Sequence, residues 1–295
     1  MPQPDRQTEP PAVPNAPVLT YASQSAEPAN LQWLVSAAGV YILAQAGANL
    51  ATMIIQSRVY VVGLSLISHP AVFLYVVPEM LAFALAIGIL LRRRMAMLIL
   101  LALIPVYCVL EPLKDRGLSL NTYIFWQGIL APRAIAAFVA LLLLYRHAGR
   151  AGVFGPRSTF CHVEDSDDLS WFMVPMALLC MAPVVEQLVG LALSPRPPAL
   201  SGRDWMWFVG DTVLPALVAI PLLWRKYRVL PALAVLAFAA PLGMVSALLY
   251  GRPSSSAGLG RLVLYMGKPF IMGLVSAWII FGVYRRVRGA GLGQK

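Results

Sequence analysis

Residues 78–94 read PEMLAFALAIGILLRRR, and residues 210–226 read GDTVLPALVAIPLLWRK. Laid over one another without a gap, each run opens near an acidic residue, Glu79 or Asp211. Each then continues through apolar side chains and closes on a basic cluster. An apolar stretch ended by Arg and Lys is the pattern of a membrane helix arriving at the cytoplasmic face. Its second occurrence points to a duplicated chain. The ends of the two halves agree as well, with LLYRHAGRAG at 143–152 and GVYRRVRGAG at 282–291. Each half also opens on a tryptophan followed by apolar residues, Trp33 in the first and Trp171 in the second.

The rest of the chain fits this frame. Its 295 residues are 59% hydrophobic and 12% charged, with a mean hydropathy of +0.72, whereas soluble domains carry about 25% charged residues. A helix needs about 20 apolar residues to cross a ~30 Å hydrocarbon core. Runs of that kind lie at 31–55, 71–91, 95–112, 122–145, 171–194, 205–224, 229–250 and 261–284. Prolines within them, such as Pro78, Pro105, Pro132 and Pro269, are tolerated where neighbouring helices satisfy the freed carbonyls. The apolar stretch between Gln56 and Pro70 is too short to span. It reads equally as an interfacial segment, a re-entrant piece or an extension of the first helix.

The expected fold is therefore all-α: a polytopic membrane protein of about eight transmembrane helices, arranged as two parallel four-helix repeats. The repeats are residues 31–145 and 171–284. A proline-rich tail (1–30), a polar linker (146–170) and a basic tail (285–295) complete the chain. An even number of spans per half gives both halves one orientation. With the N-terminus inside, the cytoplasmic segments carry fourteen Lys and Arg and the outer loops seven. The positive-inside rule then places both termini in the cytoplasm. The net charge of +10 is thus a topology signal. Nucleic acid is excluded as a partner, because no basic face with aromatic or groove-reading elements exists. The N-terminal tail has neither a basic n-region nor an apolar h-region, so no cleavable signal is expected.

The unit formed by an acidic residue, an apolar run, an arginine cluster and a further helix, closed by YRRVRGAG, resembles the YdgK-like family. This is a four-helix bacterial inner-membrane family classed as a domain of unknown function. Glu79 and Asp211 fall on its acidic position, and RRRMAM (92–97) and RKYRVLP (225–231) on its basic turn. Arg133 matches its basic residue in the fourth helix, with Lys268 a rougher counterpart, and Asp211 stands where the family has glutamate. Two copies cover 31–291. The resemblance implies placement in the bacterial inner membrane and carries no activity.

Five charged residues fall inside apolar runs: Glu79, Arg133, Glu186, Asp211 and Lys268. Each costs about 2.5–3.5 kcal/mol on insertion scales. Counted from the basic helix ends at ~1.5 Å per residue, all five lie in the outer half of the bilayer. One reading pairs Glu79 with Arg133, and Asp211 or Glu186 with Lys268. The other sets them around an outward-facing polar cavity. Enzyme chemistry is not expected: no helix carries HExxH or GxSxG, and no Gly-rich phosphate loop exists. No cofactor is expected, and no metal either, since Cys108, Cys161 and Cys180 are far apart. The expected partners are the lipid bilayer and another membrane protein or a second copy, contacted through small residues at 37–51. The expected function is a membrane-embedded adaptor or subunit of a larger complex. The alternative is a small transporter or channel using the charged cluster.

Overall fold

The computed structural model describes residues 26–59, 70–110, 120–154, 170–193, 209, 213–224, 226–238 and 256–289. Among them the structure is all-helical: α1 (Ala26–Val59), α2 (Pro70–Leu90), α3 (Arg94–Leu110), α4 (Leu120–Arg150), α5 (Ser170–Leu193), α6 (Leu214–Leu223), α7 (Tyr227–Phe238) and α8 (Ser256–Gly289). The first turn of α7 is a 3₁₀ turn. Every expected apolar run thus contains a helix. Four stretches are long and apolar enough to cross a membrane: Leu31–Ile54 in α1, Leu130–Arg150 in α4, Trp171–Val189 in α5 and Gly267–Arg288 in α8. The apolar stretches Val76–Leu90 in α2, Arg94–Val109 in α3, Leu214–Leu223 in α6 and Tyr227–Phe238 in α7 are shorter. The stretch between Gln56 and Pro70 is helical up to Val59, so α1 extends into it, and residues 60–69 lie outside the described residues.

The long helices adjoin one another: α4 packs on α5, and α1 packs on α8 and on α4. In the first half α2 lies against α1, and α3 against α2 and α4. In the second half α6 lies against α5. Packing is tightest at the arginine-rich end. There all eight helices contribute buried side chains: Leu34 and Val35 (α1), Ile89 (α2), Met97 (α3), Leu144 (α4), Met173 (α5), Leu222 (α6), Leu230 (α7) and Val283 (α8). Lipid tails are as apolar as Leu, so in a membrane such contacts hold helices together by close packing rather than by transfer from water. Small residues bring the helices near. A methyl added at Gly39 would lie 2.9 Å from Leu90, and one at Gly88 would lie 2.6 Å from the Ala96 Cβ.

The same positions are buried in both halves. Val35, Gly39 and Ala46 of α1 have buried counterparts 138 residues on, at Met173, Ala177 and Val184 of α5. Leu144 and Ala148 of α4 correspond to Val283 and Val287 of α8 at a spacing of 139. Ile89, Met97 and Leu100 correspond to Leu222, Leu230 and Leu233 at 133. That last spacing is one residue longer than the gapless overlay of 78–94 on 210–226. Val209 and Val213 have π-helical geometry, and a π turn accommodates one extra residue without turning the helix face away.

Backbone hydrogen bonds at the helix turns repeat at the same spacing of 133. Leu91 N–H to Ile87 O (2.9 Å), Arg93 N–H to Gly88 O (2.8 Å) and Ala96 N–H to Arg93 O (3.1 Å) recur in the second half. There they are Trp224 to Ile220 (3.4 Å), Lys226 to Pro221 (2.9 Å) and Val229 to Lys226 (3.5 Å). The bond from Arg93 to Gly88 is the six-to-one closure of a Schellman cap, a motif that calls for a left-handed residue, usually glycine. Arg92 takes that conformation, with φ 57°, and it is a conformation unfavourable to residues with a Cβ by about 1–2 kcal/mol. Arg92→Gly should therefore raise stability by about 1 kcal/mol, and Arg92→Val should lower it, as read from the melting temperature of the purified protein.

Candidate functional site

Three of the five charged residues within the apolar helices, Glu79, Arg133 and Glu186, meet partners on neighbouring helices, and Arg133 meets Glu186 where Glu79 was expected. Glu79 in α2 is 8% exposed, and its Oε1 accepts a hydrogen bond of 2.8 Å from Asn49 Nδ2 in α1. Arg133 in α4 forms an ion pair with Glu186 in α5, with Nε 2.6 Å from Oε2. Helix adjacency explains the difference. α2 faces α1 and α3, whereas α4 faces α5, α3 and α1, so the acid within reach of Arg133 is on α5. The pair also joins the two halves of the chain. Lys268 in α8 is half-buried and makes no ion pair among the described residues, and Asp211 lies outside them.

Arg133 and Glu186 are unequally placed. The Arg133 side chain is 61% exposed and that of Glu186 19%. Glu186 Oε2 is buried with no N–H aligned on it, so its short contact with Nε is electrostatic rather than a straight hydrogen bond. Tyr41 of α1 lies within electrostatic reach of the Arg133 guanidinium. Arg133 is thus paired across the α4–α5 contact while remaining largely exposed. It is twelve residues from Tyr145, which at ~1.5 Å per residue puts it about 18 Å from the arginine-rich end.

That end is closed. Its apolar core is flanked by two aromatic–basic clasps, each linking one half to the other. The Arg286 guanidinium of α8 lies 3.9 Å from the ring centre of Trp33 in α1. Trp278 packs on the same ring at 5.6 Å. Its counterpart joins α4 to α5: His147 stacks on Trp171 with centroids 4.2 Å apart and planes 5° from parallel. A cation over a Trp face is worth about 0.5–2 kcal/mol, depending on desolvation. A third contact ties α3 to α4, where Arg94 Nε donates to the Tyr145 hydroxyl at 2.6 Å. Asn49 and the two clasps were not singled out in the sequence. The clasps did leave a signal, because aligning LLYRHAGRAG with GVYRRVRGAG sets His147 on Arg286, and the opening tryptophans align likewise.

Arg133→Gln and Glu186→Gln should each lower thermal stability by about 1–3 kcal/mol, and the double variant by clearly less than their sum. Additive losses in that double-mutant cycle would remove the pair. Gly282→Ala should also be destabilising, by about 1–3 kcal/mol, because a methyl there overlaps the Trp33 ring. A lower melting temperature of the purified protein would register it. No protein-family model matches the chain, and neither a curated protein nor a solved structure is significantly similar to it.

Proposed function

We propose that this is a multi-pass protein of the bacterial inner membrane in which two four-helix repeats cross the bilayer in parallel, both termini lying in the cytoplasm. In this reading it is a small-solute transporter whose substrate enters from the outer side. The observation that carries the transport reading is Arg133. A guanidinium in the middle of an apolar helix, 61% exposed, between Glu186 of α5 and near Tyr41 of α1, suits a water-filled vestibule better than lipid. The closed apolar core at the arginine-rich end, which the positive-inside rule assigns to the cytoplasm, suits an outward-open state. The repeated burial and hydrogen-bond pattern supports the duplication and, with it, the reading of eight spans.

No specific observation favours an adaptor. Of the small residues of α1 that would have offered a docking groove, Ala37, Gly39, Ala46 and Ala48 are buried within the chain, and only Ala51 is exposed. The test is side-specific labelling. In a background with all three cysteines replaced by serine, Arg133→Cys in intact cells should react with a membrane-impermeant thiosulfonate from outside, and Leu144→Cys should not. An unreactive Arg133→Cys would remove the vestibule. A second polypeptide held at fixed stoichiometry in native mass spectra would restore the adaptor.

A further inference from the structure

We propose that the Arg133–Glu186 pair recognises a small zwitterion, a molecule with one carboxylate and one ammonium group. The proposal rests on the outward-open reading above, and it follows from what each partner leaves undone. Arg133 meets Glu186 through Nε, and its side chain is 61% exposed; its two Nη groups, with four N–H donors, make no hydrogen bond among the described residues. These are the donors that grip a carboxylate in two places at once. Glu186, for its part, has a buried oxygen with no aligned donor, and a buried acceptor in that state gains from any N–H brought to it.

Charge balance selects between ligand classes. The pair sums to zero, and a site within the bilayer is costly whenever it holds an uncompensated charge. An anion bound to Arg133 would strand Glu186. A cation bound to Glu186 would strand Arg133. A zwitterion parts the pair without stranding either partner: its carboxylate takes the Nη groups and its ammonium donates to Glu186. One poorly aligned contact is exchanged for two aligned ones at constant net charge. Lys268, with no ion pair among the described residues, lies on α8 behind α1.

The experiment is a thermal-shift titration of the full chain in detergent with each of the twenty proteinogenic amino acids. Each one that raises the melting temperature is followed by its N-acetyl derivative and its decarboxylated amine. At least one zwitterion should stabilise the protein. Both derivatives should need at least a tenfold higher concentration. Arg133→Gln and Glu186→Gln should each weaken the effect roughly 10- to 100-fold. Arg133→Lys and Glu186→Asp keep the charges, so they provide folded variants with intermediate loss should the neutral ones fail to fold. No shift from any member of the panel overturns the proposal. So does an N-acetyl derivative that matches its parent, with Glu186→Gln binding it more tightly, since that is a plain anion site. If Arg133→Cys labels from outside while the zwitterions are silent, the vestibule stands and the ligand class falls.

Discussion

The stacking of the Arg286 guanidinium on Trp33 fixes where the chain's last helix meets its first, and much of the remaining arrangement follows. α8 cannot lie elsewhere while that clasp holds, because Trp278 and Gly282, both on α8, also form the seat of the Trp33 ring. With α8 set against α1, and α4 set against α5 by His147 and Trp171, the halves adjoin along two lines. The shorter helices α2, α3 and α6 pack outside these contacts. Two clasps at one end therefore do what a buried hydrophobic core does in water. They choose neighbours, in a solvent where apolar surfaces gain nothing by merely avoiding it.

Polar chemistry is graded along the helices in consequence. Where the clasps draw them together, the interior is Leu, Val, Ile and Met. Farther along, the helices carry Asn49, Glu79, Arg133 and Glu186, and each of these four side chains touches a neighbouring helix. Ionised groups in an apolar medium require partners, and the available partners are decided by which helices adjoin. Arg133 therefore meets an acid of the other half, not one of its own.

This separates what could be read in the sequence from what could not. Helix positions were legible because apolar runs of membrane length have few other uses. α4 and α5 begin within two residues of the expected starts. α6 is described only from Leu214, inside a run expected from 205. The recurrence of buried positions follows the overlay of 78–94 on 210–226 to within one residue, and the π geometry at Val209 and Val213 accommodates that residue. Partner choice was not legible. Glu79 and Arg133 stand at similar heights in one half, and height is all that spacing reports. Whether α2 or α5 lies beside α4 depends on contacts formed at the far end of the helices. Asn49 was legible only in part: Gln45, Asn49, Thr52 and Gln56 recur at helical spacing, but uncharged side chains stand out less in an apolar run than the five charges do.

Gly282 has one more consequence. Its counterpart in α4 is Leu143, so the seat that receives Trp33 on α8 does not exist on α4, where Trp171 lies flat against His147 instead. The two joints are keyed differently. A pair of first halves brought together would offer Trp33 to a leucine that occupies the place of the missing Cβ, and a pair of second halves would lack the histidine that Trp171 fits. Neither half can be exchanged for a copy of the other. Two halves with the same burial pattern are thereby joined in a single order, with a glycine and a histidine as the two teeth of the key.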